Sequence, residues 1–506
     1  MNTSNRWLVS IALMAATVMQ VLDTTITNVA LPHMAGNLGA SFDSISWVLT
    51  SYLIGTSLVM PLTGYLTDRL GRRRFLVISI AGFVATSALC GAATTLPQIV
   101  AFRFLQGMCG AALVPLSQAV MAEVFPQQER GKAMAIWGMG VMVAPIMGPS
   151  LGGWLTDALS WRWTFYINLP VGIASLFLVM RYVPDTTAKT RSLDWTAFAL
   201  LAVSLTALQL VLDRGQQEDW LSSGFIVAAA LICAVSFGAF VVRSATNKTN
   251  PLFNLAVLRD RNFVVAAAVM AAMGIGLFGG QLLQPQFLEN LMGFPVSDAG
   301  LYLMPRGLAT FAAMILVGRL SSKVSPKLLV GGGLLLSLAG SLLMTRVNAE
   351  VTGLWMAMPL ALQGFGMGLI FVPMSTLAFS SIAKVYTAEA AGLYSLVRTV
   401  GSAVGISLVS TYLARSTQAH WELLRGFASP YRGAATQYLE GLHLLPQTGG
   451  GAQILAQTLF SQAQLAAFVD CFWFIAASFL VMAPLLFLMK KGTPTGHVPS
   501  HAALAE

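Results

Sequence analysis

Charge is scarce in this sequence. Asp, Glu, Lys and Arg together make 10% of its 506 residues, where a soluble domain carries about 25%, and that excludes a water-facing globule. Acidic residues are scarcer still, 20 against 29 basic ones. Only four cysteines occur, Cys90, Cys109, Cys233 and Cys471, all in apolar segments and without metal-ligand spacing. A disulfide framework and a zinc site are both disfavoured by that placement. A Walker-type phosphate loop is missing, so no nucleotide-driven step is expected. The period-2 alternation of a membrane β-barrel is missing too. Nor is a cleavable leader expected: the first apolar run is too long, contains Asp23 and lacks a small-residue cleavage site.

Apolar residues fill the space instead, at 56%. They fall into fourteen runs, at about 7–31, 44–67, 75–95, 98–122, 132–156, 163–183, 194–212, 221–242, 263–290, 297–318, 327–347, 353–380, 388–413 and 466–489. Each is near the roughly 20 residues that a helix needs to cross a bilayer. The expected fold is therefore an all-α polytopic membrane protein. Twenty of the 29 basic residues fall in alternate connections, beginning with Arg6 and the cluster Arg69, Arg72, Arg73 and Arg74. Six fall in the other connections, and Arg103, Arg306 and Arg398 lie inside spans or near them. The positive-inside rule then places both termini in the cytoplasm, with an even helix count. The basic excess is topology and needs no nucleic acid.

The runs group into two sets of six with a pair between them. Residues 1–190 form the first set, 191–245 the inserted pair and 246–490 the second set, followed by a cytoplasmic tail at 491–506. An internal repeat is traceable. Gly64, Leu66, Arg69 and Arg73 after span two register with Gly318, Leu320, Lys323 and Lys327 after span ten. Gln106-Gly107 with Pro115 in span four registers with Gln363-Gly364 and Pro373 in span twelve. Parallel repeats of this kind belong to transporters whose halves rock around a site at mid-membrane. One connection, 416–464, is long; it holds Trp421, Phe427, Tyr431, Tyr438, Leu455 and Phe460 around a Gly449–Gly451 break. A loop of this length is usually functional or disordered, and its aromatics favour an ordered outer surface.

Asp23 stands inside the first span, where a carboxylate costs roughly 2.5–3.5 kcal/mol and is functional by default. Thr24, Thr27 and Asn28 lie within about a turn of it. Such a stripe fits a site that takes up and releases a proton, with the rest of the bundle exposing it to one side and then the other. Arg103 in span four is too deep to reach the interface easily and needs a partner. Glu123, near the inner end of the same span, is a candidate second titrating group. A cavity for apolar ligands is expected to be lined by Thr27, Asn28, Gln106, Trp137, Phe278, Gln281, Gln284 and Phe371, since aromatics and neutral polar groups adapt to varied shapes.

Three motifs make the reading specific. The loop Gly64-x-Leu-x-Asp68-Arg69-x-Gly71-Arg72-Arg73 resembles the loop signature of the major facilitator superfamily. Gly140, Pro145, Gly148, Pro149, Gly152 and Gly153 in span five resemble the antiporter signature of drug-exporting facilitators. The glycines flatten one helical face for close packing, and the prolines bend the helix. Trp161–Gly172 at the start of span six, the Leu22–Pro32 stretch and Met304-Pro305-Arg306-Gly307 complete a resemblance to the EmrB/QacA group of fourteen-helix drug:proton antiporters along nearly the whole chain. Within that group the chain looks most similar to the inner-membrane member of a tripartite Gram-negative exporter.

The resemblance implies a major facilitator fold of two six-helix halves plus two inserted helices. It also implies proton-coupled export of amphipathic or hydrophobic compounds across the bacterial inner membrane, with no cofactor and the proton as coupling ion. Asp23 and Arg103 take the coupling roles and the Gly64–Arg73 loop the cytoplasmic gate. An EmrA-like periplasmic adaptor and a TolC-like outer-membrane channel are the implied partners, with 416–464 as the docking surface. Leu360 stands where the repeat would place a second Arg103, and Ser322 departs from the loop signature, so the coupling machinery is confined to the first half. Two other readings compete. One is a dedicated exporter of a siderophore, amino acid or fatty acid; the other is a receptor or scaffold without transport, which Asp23, Arg103 and the span-five motif disfavour.

Overall fold

The computed structural model describes residues 3–186, 192–247, 255–321, 323–348, 351–383, 386–426, 437 and 449–488. Every regular element among them is helical. Thirteen helices are long and apolar enough to cross a membrane, and a bent pair makes a fourteenth. In chain order they are α1 (Arg6–Leu38), α2 (Trp47–Leu70), α3 (Arg72–Ala92), α4 (Leu96–Val124), the bent α5 (Gly131–Pro145 with Ser150–Ala158), α6 (Trp163–Tyr182) and α7 (Trp195–Arg214). There follow α8 (Gly224–Thr246), α9 (Arg261–Leu291), α10 (Asp298–Leu320), α11 (Pro326–Met344), α12 (Leu354–Ala378), α13 (Thr387–Arg425) and α14 (Gly451–Leu488). Each of the fourteen apolar runs coincides with one of these helices. The end of the bundle at which α1 starts is called here the near end, and the opposite one the far end.

The repeat seen in the sequence is also a repeat of contacts. In the first half, a Cβ on Gly107 of α4 would overlap the Tyr52 carbonyl of α2, and Thr56 Oγ1 donates to the Gly107 carbonyl at 3.3 Å. In the second half, a Cβ on Gly364 of α12 would overlap the Arg306 carbonyl of α10, and Thr310 Oγ1 donates to the Gly364 carbonyl at 2.9 Å. Tyr52 thus corresponds to Arg306 and Thr56 to Thr310, in the register of Gly64 with Gly318. Glycine is needed at both crossings because the backbones approach too closely for a side chain.

The halves meet along two seams. Helix α5 runs antiparallel to α10 and touches it at both ends: Gly131 abuts Ser321, Gly138 abuts Met314, and Gly300 abuts Ser150. Among the described residues helix α2 touches α13 through its near half. A Cβ on Gly64 would come within 2.8 Å of the Glu389 Cβ, and one on Gly392 within 3.0 Å of the Met60 carbonyl. At its far end α2 leans instead on α7, where Thr50 hydrogen-bonds Asp213 and the Arg214 guanidinium lies 4.8 Å from the Trp47 ring. Helices α7 and α8 pack on each other. Asp194 accepts the Ala197 N–H at 3.0 Å and pairs with Arg243 at 3.0 Å. Those contacts hold its carboxyl down to about 2, the Ala197 N–H first and then Arg243.

The outer connection differs from expectation. The span expected to end near residue 413 continues to Arg425, and the Gly449–Gly451 run opens a helix, Gly449–Leu488, rather than breaking one. The two extensions are joined by side chains. Trp421 meets Phe460 edge-on at 5.7 Å, and Asp470 accepts from Ser416 Oγ at 2.5 Å and contacts His420 Nε2 at 2.7 Å. Phe427, Tyr431, Tyr438, Ser322 and the tail 491–506 lie outside the described residues.

Candidate functional site: a buried carboxylate–guanidinium pair

Asp23 and Arg103 meet in the interior of the first half, both with 0% exposed side chains and Nη1 to Oδ2 at 2.6 Å. The other carboxylate oxygen, Oδ1, accepts from Gln106 Nε2 at 3.0 Å and from Asn168 Nδ2 at 2.7 Å. Arg103 also donates to Gln106 Oε1 at 2.8 Å and, through Nε, to the Val48 carbonyl at 3.3 Å. Its guanidinium lies 4.3 Å from the Tyr52 ring centroid and 5.6 Å from that of Phe165, a cation–π arrangement that strengthens once water is gone. Arg103 Nη2 has no hydrogen-bond partner among the described residues. Five helices build the site: α1 gives Asp23, α2 gives Tyr52 and Val48, α4 gives Arg103 and Gln106, and α6 gives Phe165 and Asn168. From α3, Ser87 accepts from Asn168 Nδ2 at 3.0 Å and donates to the Phe165 carbonyl at 2.8 Å, so Asn168 is aimed rather than loose.

Every group around the carboxylate is a donor serving negative charge. Removing either partner alone from such a pair costs roughly 3–5 kcal/mol.

Other sequence candidates fall elsewhere. Thr27 is buried but donates to the Asp23 backbone carbonyl at 2.7 Å, and Thr24 likewise bonds the Val21 carbonyl at 2.7 Å. Asn28 is exposed. The two threonines of the α1 stripe are therefore satisfied by their own helix, and neither side chain bonds the carboxylate. Glu123 pairs with Arg72 at 2.6 Å, at the near end, so it belongs with the loop and not with Asp23. Also in that loop, Arg73 pairs with Asp185 at 3.3 Å, and Arg69 donates to the Tyr65 hydroxyl at 2.6 Å. Gly71 adopts φ +81°. Asp68 is half-buried in the last turn of α2.

In α5 the small-residue face is real and lies against α1. A Cβ on Gly140 would meet Met14 at 2.6 Å, one on Gly148 would overlap Thr25, and one on Gly152 would sit 3.2 Å from Ile26. Nothing lies within 4 Å of a Cβ on Gly153, so it is not part of that face. Pro145 and Pro149 bracket a 45° bend, as expected when two backbone donors are lost; the Pro149 side chain is outside the described set, as is that of Phe278. Trp137 and Phe371 come together across the halves, stacked at 6.2 Å and 15°. Gln284 is buried, donating to Gln363 Oε1 at 2.7 Å and accepting from Arg306 Nη1 at 2.7 Å. Gln281 is half-buried.

Sequence reasoning gave Asn168, Tyr52 and Ser87 no role. Neutral polar residues in apolar spans are common, and only a contact with a charge marks these three. Asn168 sits next to Leu169-Pro170, at the start of a helix that the sequence had already singled out as a motif.

Comparison with known proteins follows the same lines. The Major Facilitator Superfamily model matches residues 13–406. The fatty acid resistance protein FarB of Neisseria gonorrhoeae is 34% identical over 494 residues, 96% of this chain and 97% of that protein. The multidrug export protein EmrB of Escherichia coli (strain K12) is 32% identical over 491 residues, 96% of this chain and 95% of that protein. Among solved structures, the human organic anion transporter MFSD10 (TETRAN) superposes with a TM-score of 0.62 at 17% identity, covering 95% of this chain and 99% of that one. At that identity the likeness shows the fold alone.

Proposed function

From the premise that this chain belongs to the major facilitator superfamily and is a multi-pass membrane transporter, we propose that it exports amphipathic and hydrophobic compounds from the cytoplasm or inner leaflet in exchange for protons. The observation that carries the reading is the Asp23–Arg103 pair, a titratable carboxylate sealed inside a membrane bundle. In the cycle a proton arriving from the far, periplasmic side displaces Arg103 from Asp23. The freed guanidinium and its aromatic seat then rearrange, and the halves rock to release the proton on the cytoplasmic side. Each inward proton contributes about 2.3 kcal/mol per 100 mV, plus the pH term. Residues 1–190 and 246–490 are the rocking halves, with the Gly64–Arg73 loop as the cytoplasmic clasp where α2 meets Glu389 of α13.

Support for drugs as cargo comes from relatives named for multidrug export. Support for one physiological solute comes from the relative named for fatty acid resistance, and that is the second reading. Compounds released into the periplasm re-enter unless they are carried further. The proposal therefore includes a periplasmic EmrA-like adaptor, docked on the paired extensions of α13 and α14, and a TolC-like outer-membrane channel, with the protein in the inner membrane and both termini cytoplasmic.

The test is Asp23→Asn, which keeps the volume and leaves Arg103 an oxygen to donate to. Purified into proteoliposomes under an imposed pH gradient, the wild type is expected to move a panel of amphipathic compounds. The variant is expected to fold, bind and move none of them against a gradient. Full gradient-driven efflux by the variant would end the proposal.

A further inference from the structure

Two arginines inside the spans of the second half have no carboxylate partner among the described residues. In the first half Arg103 is neutralised by Asp23. In the second half two arginines lie inside spans, Arg306 in α10 and Arg398 in α13, and no carboxylate among the described residues pairs with either. Arg306 spends its donors on neutral acceptors, Gln284 Oε1 at 2.7 Å and the Leu277 carbonyl at 3.2 Å. Its hydrogen bonds are made although its charge is not matched. Arg398 differs, because its guanidinium makes no hydrogen bond or ion pair to any described residue. Its contact is the face of Phe371, 5.9 Å from the ring centroid, and the ionisable group beside it is the Tyr394 hydroxyl.

A guanidinium cannot shed its proton in a protein, so Arg398 has no way to become neutral in an apolar setting. Intramembrane arginines face bundle interiors or water-filled cavities and find partners there. An arginine whose five donors are all uncommitted awaits a partner that the folded chain does not supply.

Its surroundings indicate what that partner is. Phe371 stacks on Trp137, which comes from α5 of the other half, so the cation sits at the seam where a rocking transporter holds its cargo. Trp137 Nε1 is buried and has no acceptor among the described residues, a second uncommitted donor in the same cluster. The neighbouring wall is apolar, with Met314 and Val372 both 3.4 Å from where a Gly138 Cβ would stand. Two donors with no acceptor, beside a stacked aromatic pair and a thioether wall, fit a ligand with one anionic end and an apolar body.

We propose that Arg398 is the anchor for the head group of an amphipathic organic anion, with the Trp137–Phe371 stack holding its apolar part. The cargo class is thus narrowed to monoanions such as carboxylates with a hydrocarbon or aromatic body. The inference rests on the exporter reading for the word cargo, but its core is an equilibrium binding preference that needs no transport.

Three ten-carbon probes separate charge from hydrophobicity: decanoate, methyl decanoate and decyltrimethylammonium. Binding to the full-length protein in nanodiscs is measured by calorimetry, with empty nanodiscs subtracted. The wild type is expected to bind decanoate at least about tenfold tighter than either other probe, the scale of one charge-assisted hydrogen-bonded pair. Arg398→Gln should erase that preference and Arg398→Lys should keep most of it. Arg306→Gln should leave the preference in place, because Arg306 is already engaged. If Arg398→Gln does not fold, Arg398→Lys with Trp137→Phe decides: the preference should fall in the second and persist in the first. A wild type that favours the ester or the cation, or an Arg398→Gln protein that still favours decanoate, overturns the proposal. Loss of the preference in Arg306→Gln alone overturns it as well. Failure of the antiport reading would appear separately, as absent gradient-driven transport with the binding preference intact.

Discussion

Gly71 closes the last turn of α2 at φ +81° and ψ 150°, a conformation that costs an L-residue strain. The Arg72 N–H beside it donates to a group from outside the loop, Thr186 Oγ1, at 2.9 Å. A Cβ on Gly71 would also come within 2.8 Å of the Thr186 carbonyl. Gly71→Ala is therefore expected to lower stability by roughly 1–3 kcal/mol, read as a fall in the thermal midpoint of the purified protein. Gly153→Ala, with open space around it, should leave the midpoint where it was. Asp23 and Arg103 were legible from the sequence because charge inside a membrane is too costly to be incidental. Glu123 was legible as a titratable group but not as Arg72's partner, since depth along a helix does not tell which neighbour a side chain faces. Asn168 needed the fold: α6 begins beside α1 only because the six helices close around one another.

Helix α5 shows what one element contributes. Its glycines let α1 come close on the flank that carries Met14, Val18 and Thr25, away from the one that carries Asp23, with Thr25 and Ile26 filling the positions where side chains would be, and its prolines supply the bend. A leucine at Gly148 would meet both the side chain and the backbone of Thr25. Gly148→Leu is expected to push α1 away from α5 and either stop cycling or open a proton leak. Proteoliposome efflux and passive proton flux would show it, while Gly153→Leu should change neither. Unchanged efflux and tightness in Gly148→Leu would mean that this face is no seam. The existence of all fourteen helices was legible because hydrophobicity reports the lipid boundary. The true ends of α13 and α14 were not. Beyond lipid the apolar run stops while the helix continues, held by specific pairs such as His420 with Asp470 and Trp421 with Phe460.

Across the whole molecule, the paired extensions of α13 and α14 run past the expected ends of their spans and carry exposed apolar groups: Leu423 is 68% exposed, Phe460 43% and Ile454 37%. Apolar side chains on an ordered tip fit an interface. Leu423→Glu combined with Ile454→Glu is expected to reduce resistance severalfold in intact double-membrane cells and to leave antiport by the isolated protein unchanged. Loss of antiport as well, or undiminished resistance, would remove the docking role.

The two seams between the halves have a mechanical consequence. Among the described residues α5 and α10 touch from one end to the other while α2 and α13 meet through their near halves, so in the proposed cycle the former pair would act as a fulcrum and the latter as a latch. A beam balanced on such a pivot cannot lift both of its ends at once. Parting the clasp between Gly64 and Glu389 must bring the opposite rims together, so no continuous pore stands open during the swing. If the proposed exchange runs on protons, the gradient would be protected from short-circuit by leverage.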